Sequence, residues 1–316
     1  MKLQTEIPLQ PQTFNQIDYH SKICLFGSCF AEHIGQKLDY FKFQNELNPF
    51  GILFHPLAIE NLITAAINKK VYSESDIFFH NEQWHSFETH SRLSSTSKDE
   101  LLNSLNKYVK STSQQIHDAT HIIFTLGTSW VYRYIETDIV VANCHKIPQK
   151  KFVKELLTVD EVSESLQGTV SLIRSINPKA TLVFTVSPVR HLKDGFIENT
   201  QSKSHLIAAI HQLVEPRQNT HYFPSYEIMM DQLRDYRFYS EDMIHPNQTA
   251  VDFIWGQFKK VWIANEASVT MDQIDGIQKG MQHRPFHPNS EAHQEFLQNL
   301  EQKKKDLMRQ FPHLKF

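Results

Sequence analysis

The chain has 316 residues and only 9 glycines, where average usage of roughly 7% would supply about 22. Glycine serves sharp turns and close backbone approaches, so each position is informative. Gly27, Gly35, Gly51 and Gly127 fall in the first half, beside patterns that look functional. Cysteine is scarce too. Cys24, Cys29 and Cys144 form no CxxC and cannot all pair, which argues against a disulfide scaffold and fits a reducing compartment. No stretch approaches 18 consecutive apolar residues, so no transmembrane helix and no membrane partner is expected. The opening MKLQTEIPLQPQTF lacks an apolar signal-peptide region, so a cytoplasmic location is expected. Charge of one sign is also lacking. Lysine plus arginine number 32 and aspartate plus glutamate 35, for a net charge of -3. There is no global basic field for nucleic acid, and the compact cluster Lys303, Lys304 and Lys305 reads as a solvated helix face. Repeats and low-complexity tracts are missing as well.

What is there is a globular composition, 40% apolar and 21% charged, enough for one large domain or two modest ones. Short apolar runs at 23–26, 122–126, 181–186 and 221–223 read as buried parallel strands, because neither face alternates with polar residues. Helical patterns lie between and after them: Phe30, Ile34 and Leu38, then 57–67, 159–176, 204–214 and 246–261. This alternation predicts a three-layer α/β/α fold, a flavodoxin-like doubly wound parallel sheet with right-handed crossovers. Residues 77–87 and 131–141 read as hairpin insertions near the C-terminal edge of the sheet, where ligands bind in such folds. Beyond about residue 266 the chain turns polar, with weak helical periodicity over 290–308. The expected organisation is an α/β domain over 1–265 and a helical C-terminal appendage over 266–316.

Two motifs can carry chemistry. In Lys22-Ile-Cys-Leu-Phe-Gly27-Ser28-Cys29-Phe30 a buried strand runs through glycine into a serine at a helix start. There the backbone N–H groups and the helix dipole favour developing negative charge. Ser28 is either an N-cap or a nucleophile, and the motif alone favours the cap. It is neither a dinucleotide fingerprint nor a P-loop, since GxGxxG and GK[ST] are missing. The second motif is Asp242-Met-Ile-His245-Pro246. Such a turn brings a carboxylate against one imidazole nitrogen and leaves the other to take a proton from a serine. Alone it is a common surface pattern. Its position after the last α/β unit lets it return near the first strand–helix turn.

Gly27-Ser28-Cys29-Phe30-Ala31 spells GSCFA, and the chain resembles the GSCFA family, which is similar to the SGNH/GDSL hydrolases. Further stretches look like the same family: Asn48-Pro-Phe-Gly51, Leu126-Gly-Thr-Ser-Trp-Val-Tyr132, Asn143-Cys-His-Lys146, Ser187-Pro-Val-Arg190, Ser202-Lys203 and Tyr222-Phe-Pro-Ser-Tyr-Glu227. The resemblance covers about residues 20–260 and leaves the tail out. It implies an SGNH-hydrolase-like fold, with Ser28 as nucleophile, His245 as general base and Asp242 as its partner. It also implies an oxyanion hole built from the nucleophile's own N–H, a glycine N–H of a second block, here Gly51, and an asparagine of a third block. The third block corresponds to Gly127-Thr128-Ser129, and the usual asparagine is missing. The Thr128 or Ser129 hydroxyl, or Asn48, would have to replace it. Losing one such donor can cost about 10²–10³ in rate. Gly127 is read equally well as a turn that ends a strand.

Other residues keep two readings. Cys29 is a core-facing neighbour of Ser28 or a second nucleophile. His80, His85 and His90 recur every five residues; on a hairpin that spacing alternates faces and argues against a three-histidine zinc site. No metal or cofactor is expected. His90, Trp130, His145, Lys146, Arg190 and Lys203 are substrate-binding candidates, with capping or solvated roles as the alternative.

The leading expectation is a serine-dependent ester hydrolase whose partner is a small-molecule acyl ester. Since related folds often deacetylate sugars, an O-acetylated carbohydrate is the substrate suggested by analogy. Two alternatives remain: an acyltransferase with the same triad, and a non-catalytic carbohydrate-binding protein that keeps the fold.

Overall fold

The computed structural model describes residues 5–316. The first unit is β1 (Lys22–Gly27), α1 (Cys29–Tyr40), β2 (Gln44–Leu47) and α2 (Pro56–Ile67). The hairpin β3 (Phe78–His80) and β4 (Gln83–His85) follows, then α3 (Lys98–Asp118) and β5 (His121–Leu126). A second insertion comprises β6 (Trp130–Tyr134), β7 (Ile139–Val141) and β8 (Phe152–Leu156). Next come α4 (Val159–Ile176), β9 (Thr181–Val186), α5 (Phe196–Leu213) and β10 (Thr220–Tyr222). A short α6 (Ser225–Glu227) runs into a π-helical turn (Ile228–Gln232), and α7 (Gln248–Trp262), α8 (Asn265–Gln282) and α9 (Glu291–Gln310) complete the chain.

The five-stranded sheet has the order β10-β9-β5-β1-β2, and every pair is parallel. Read from the β2 edge this is the flavodoxin-like order, whose switch point lies between β1 and β5. Side-chain alternation along the strands builds two cores. Cys24, Phe26, Ile122, Phe124, Leu182 and Phe184 face α2 to α5, while Ile23, Leu25, Ile123 and Val183 face α1 and α7. The four expected strands and the three-layer arrangement are present. The fifth strand, β2, is a partly exposed edge of sequence QNEL, which carries no apolar run to betray it. It seats tightly against α1, since a Cβ at Gly35 would lie 2.7 Å from Leu47 Cδ2.

The second insertion is larger than a hairpin. β8 joins it through Lys154 opposite Tyr132, making a three-stranded antiparallel sheet β7-β6-β8. The C-terminal helices fold back onto the α1–α7 face. Ile274 and Ile277 of α8, Leu300 and Leu307 of α9, and Phe311 and Leu314 beyond it join that core, and Phe311 packs against the stacked Tyr19–Phe43 rings. Among the described residues no helix is long and apolar enough to cross a membrane.

Candidate active site

The turn between β1 and α1 lies at the C-terminal edge of the sheet, beside the switch point. Gly27 has φ +141°, and a Cβ there would sit 2.1 Å from Thr125 O of β5, so no other residue fits this approach. Ser28 follows, buried, and its N–H continues the ladder to Thr125 O at 2.9 Å. Its Oγ caps α1 by accepting Phe30 N–H at 3.3 Å. The capping role foreseen for Ser28 is therefore real. The Ser28 N–H, foreseen as an oxyanion donor, is already engaged by β5.

Over this turn lies the segment after β2. Asn48 has φ +44° and accepts Gly27 N–H through Oδ1 at 2.8 Å. Its Nδ2 is buried with no hydrogen-bond partner among the described residues. A buried amide left unpaired is rare in a native fold and asks for an explanation. Gly51 has φ +74°, and a Cβ there would lie 2.5 Å from His90 Cβ; its N–H closes the turn onto Asn48 O at 2.8 Å. That removes Gly51 N–H from the donors foreseen, since the turn itself consumes it. His90 N–H holds Phe50 O at 2.9 Å, and the half-buried ring lies at the rim, its pKa lowered by burial and then by Arg92.

The second motif comes to the same edge. The loop after β9 grips it: Arg190 N–H donates to Ile244 O at 3.1 Å and the Arg190 guanidinium to Met243 O at 3.3 Å. Within the turn, Asp242 Oδ1 accepts the N–H groups of Ile244 and His245 at 2.9 and 3.0 Å, and Oδ2 bonds His245 Nδ1 at 2.6 Å. The backbone N–H of His245, its ring and the N–H of Ile244 hold the Asp242 carboxyl down at about 2. Charge on His245 acts on His33 of α1 and on His191 after β9, so the dyad lies within electrostatic reach of both. Ser28 Oγ and His245 share no hydrogen bond; Ser28 Oγ is turned to Phe30 N–H.

Beneath the turn lies a cluster that sequence reasoning placed wrongly or missed. Lys203 is 1% exposed, and its Nζ donates to Gly127 O at 2.6 Å and Ser187 O at 2.7 Å, tying together the ends of β5 and β9. Burial brings it down to about 7, opposed by Cys29. It is a strut inside the fold instead of the substrate contact foreseen. His191, unforeseen, packs near Phe54 with Nε2 buried and unpartnered, and burial, Lys203 and His245 push it down to about 3. Its only sequence signal is adjacency to Ser187-Pro-Val-Arg190. Cys29 packs against the apolar α1–α7 core, and burial pushes its thiol up, so it is no poised thiolate.

The other candidates stand elsewhere. Thr128 Oγ1 and Ser129 N–H both bond Ser202 Oγ of α5 at 2.8 Å, and Ser129 Oγ donates to Ser202 O at 3.2 Å. These buried hydroxyls must be satisfied, and α5 satisfies them, so neither remains for an oxyanion. Trp130 donates its indole N–H to Glu198 O at 3.1 Å and stacks under Lys154. His145 is buried in the insertions, Nε2 against Ser86 O at 2.8 Å and its ring 4.6 Å from His85; burial lowers it to about 4. Lys146 is exposed. His85 is held by Ser94 Oγ and His80 O, and among the described residues no group of three or more His, Cys, Asp or Glu could hold a metal.

The model of the GSCFA family matches residues 22–258, and that of the GSCFA domain protein, C-terminal domain, matches residues 274–316. No curated protein matches the chain. Among solved structures, the chain is similar to a Clostridium thermocellum family 3 carbohydrate esterase at 10% identity and TM-score 0.36, over 81% of this chain and 98% of that one. A carbohydrate esterase family 3 structure from Talaromyces cellulolyticus gives the same identity, TM-score and coverage of this chain, over 99% of its own.

Proposed function

The chain belongs to the GSCFA family, and from that premise we propose that it is a serine-dependent hydrolase of small acyl esters, with Ser28, His245 and Asp242 as its triad. The observation that carries this reading is the Asp242–His245 pair. Asp242 holds Nδ1 at 2.6 Å, which fixes the tautomer and leaves Nε2 as the proton acceptor. The turn stands over the sheet edge where Ser28 caps α1.

In the reaction, Ser28 Oγ attacks the acyl carbonyl while its proton passes to His245 Nε2, and Asp242 stabilises the imidazolium. The tetrahedral oxyanion collapses to an acyl-serine, and His245 returns the proton to the leaving alkoxide. Water then attacks the acyl-serine with the same base, releasing the acid and restoring the Ser28 hydroxyl. Ser28 must turn its Oγ from Phe30 N–H towards His245 for the first step, and catalytic hydrogen bonds commonly tighten only with substrate in place. The oxyanion donor is Asn48 Nδ2, at the positive end of the α1 dipole. It replaces the missing asparagine of the third block, and that replacement supports catalysis over binding alone. An O-acetylated carbohydrate falls within this substrate class.

Ser28→Ala is expected to abolish hydrolysis of p-nitrophenyl acetate while circular dichroism stays as in the wild type and stability falls only by the lost α1 cap, about 1 kcal/mol. Equal turnover by the two proteins refutes the reading.

A further inference from the structure

A cavity of about 320 Å³ is bounded by Arg190, which also bonds Met243 O and Ile244 O of the Asp242–His245 turn. Met229, Met230, Tyr236 and Tyr239 supply its apolar and aromatic wall, and Arg190, Asp231, Arg234 and Asp235 its charged one. The carboxylates at its rim are already matched, Asp231 with Arg234 at 3.8 Å and Asp235 with Arg237 at 3.2 Å. Arg190 is the exception. Among the described residues no carboxylate lies within ion-pair distance of it. Its guanidinium sits 5.4 Å from the Phe196 ring and 5.2 Å from the Tyr239 ring, and it donates a side-chain hydrogen bond to Met243 O. A guanidinium has five N–H donors in a planar fork. Two flanking rings fix the plane of this one and leave most of its donors unspent, a geometry suited to a carboxylate or phosphate.

Which half of an ester meets this cavity follows from the proton path. His245 protonates the leaving oxygen, so the alcohol half lies on the His245 side, whereas the acyl oxygen lies on the Asn48 side. The Arg190 backbone and guanidinium both hold the turn that carries His245, so the cavity is joined to the alcohol side through Arg190. We propose that this cavity is the subsite for the alcohol half of the substrate, and that this alcohol carries an anionic oxygen group, carboxylate or phosphate, paired with Arg190. The inference rests on the hydrolase reading above.

Three acetyl esters with matched phenolic leaving groups test it: 4-acetoxybenzoate, 4-acetoxyphenyl phosphate and the neutral 4-acetoxybenzamide. The wild type is expected to prefer at least one anionic ester over the neutral one by roughly tenfold or more in kcat/KM, as a charge-assisted pair supplies. The arm with the larger preference tells carboxylate from phosphate. Arg190→Gln is expected to bring the preference to about one, and Arg190→Lys to restore part of it. A wild type that turns over all three equally overturns the subsite, as does an Arg190→Gln protein that keeps the preference. Because the wild-type ratio needs no variant, loss of all activity in Arg190→Gln leaves the test decided. Ser28→Ala separates the two layers. If it still hydrolyses the esters, the hydrolase reading fails; if activity depends on Ser28 but ignores charge, only the subsite fails.

Discussion

Two corners at the C-terminal edge invite comparison. One is the Asn48–Gly51 turn over the end of β1, the other the Gly127–Ser129 corner after β5. Both lie against the ends of buried strands beside the switch point, and both hold small polar residues. Their hydrogen bonds differ. At the Gly127 corner the foreseen donors are spent: Gly127 and Thr128 N–H on Phe54 O and the Thr128 and Ser129 hydroxyls on Ser202, while Gly127 O accepts from Lys203. At the Asn48 corner the N–H groups of Asn48 and Gly51 are spent on Leu25 O and Asn48 O, yet among the described residues one buried NH₂ group has no partner. A fold that leaves a buried donor unpaired gives up stability, and a donor kept ready is what an oxyanion requires. On the hydrolase reading proposed above, the comparison gives one corner a stability role and the other a rate role.

The sharpest way to break it, after the total loss expected for Ser28→Ala, is Asn48→Asp. Aspartate keeps an oxygen for Gly27 N–H and tolerates the left-handed backbone at φ +44°, but it has no NH₂. Loss of about 10²–10³ in kcat is expected, the effect of removing one oxyanion donor, with KM for p-nitrophenyl acetate little changed. A kcat within a factor of about three of wild type would return the oxyanion role to another donor.

Ser202→Ala tests the other corner. It leaves Ser129 N–H and the Thr128 hydroxyl without their partner and should destabilise the fold by about 2 kcal/mol, read from urea unfolding, as buried groups left unpaired do. The kcat of the folded protein should hold near wild type. If kcat falls as far as in Asn48→Asp, the two corners share the work and the contrast dissolves.

Legibility in the sequence divides along the same line. β1, β5 and β9 announce themselves by unbroken apolar runs, and the Ser28 turn and the Asp242–His245 turn by local spacing, because these features need only neighbours in the chain. β2 is an exposed edge without such a run, and β8 alternates too weakly to be read apart from the hairpin it joins. α3 carries a readable stripe, Leu101, Leu105, Val109 and Ile116, that the strand-centred reading passes over. The roles of Thr128 and Ser129 turn on Ser202, 74 and 73 residues away, and that of Asn48 on whether one amide finds a partner. Lys203 looks like any helix lysine until tertiary packing surrounds it. Long-range satisfaction of polar groups is what local pattern does not carry.

Lys203 yields the smallest effect and a direct one. Burial depresses it to about 7 in the folded protein, against an ordinary lysine value of about 10.4 when unfolded. Between those values the unfolded chain binds the extra proton, so stability rises with pH across the window and levels off above it. Below about 7 the ammonium is charged in both states, and the fold bears the burial cost, offset by the bonds to Gly127 O and Ser187 O. Lys203→Met should unfold at a lower temperature overall, since both carbonyls lose their donor. Its thermal midpoint should also lose the lysine's share of the rise between about pH 7 and 10, and the wild-type minus variant difference isolates that share from every other titrating group. Parallel midpoint curves for the two proteins would mean that Lys203 stays charged inside the fold, and the strut between β5 and β9 would then be a permanent buried cation beneath the candidate site.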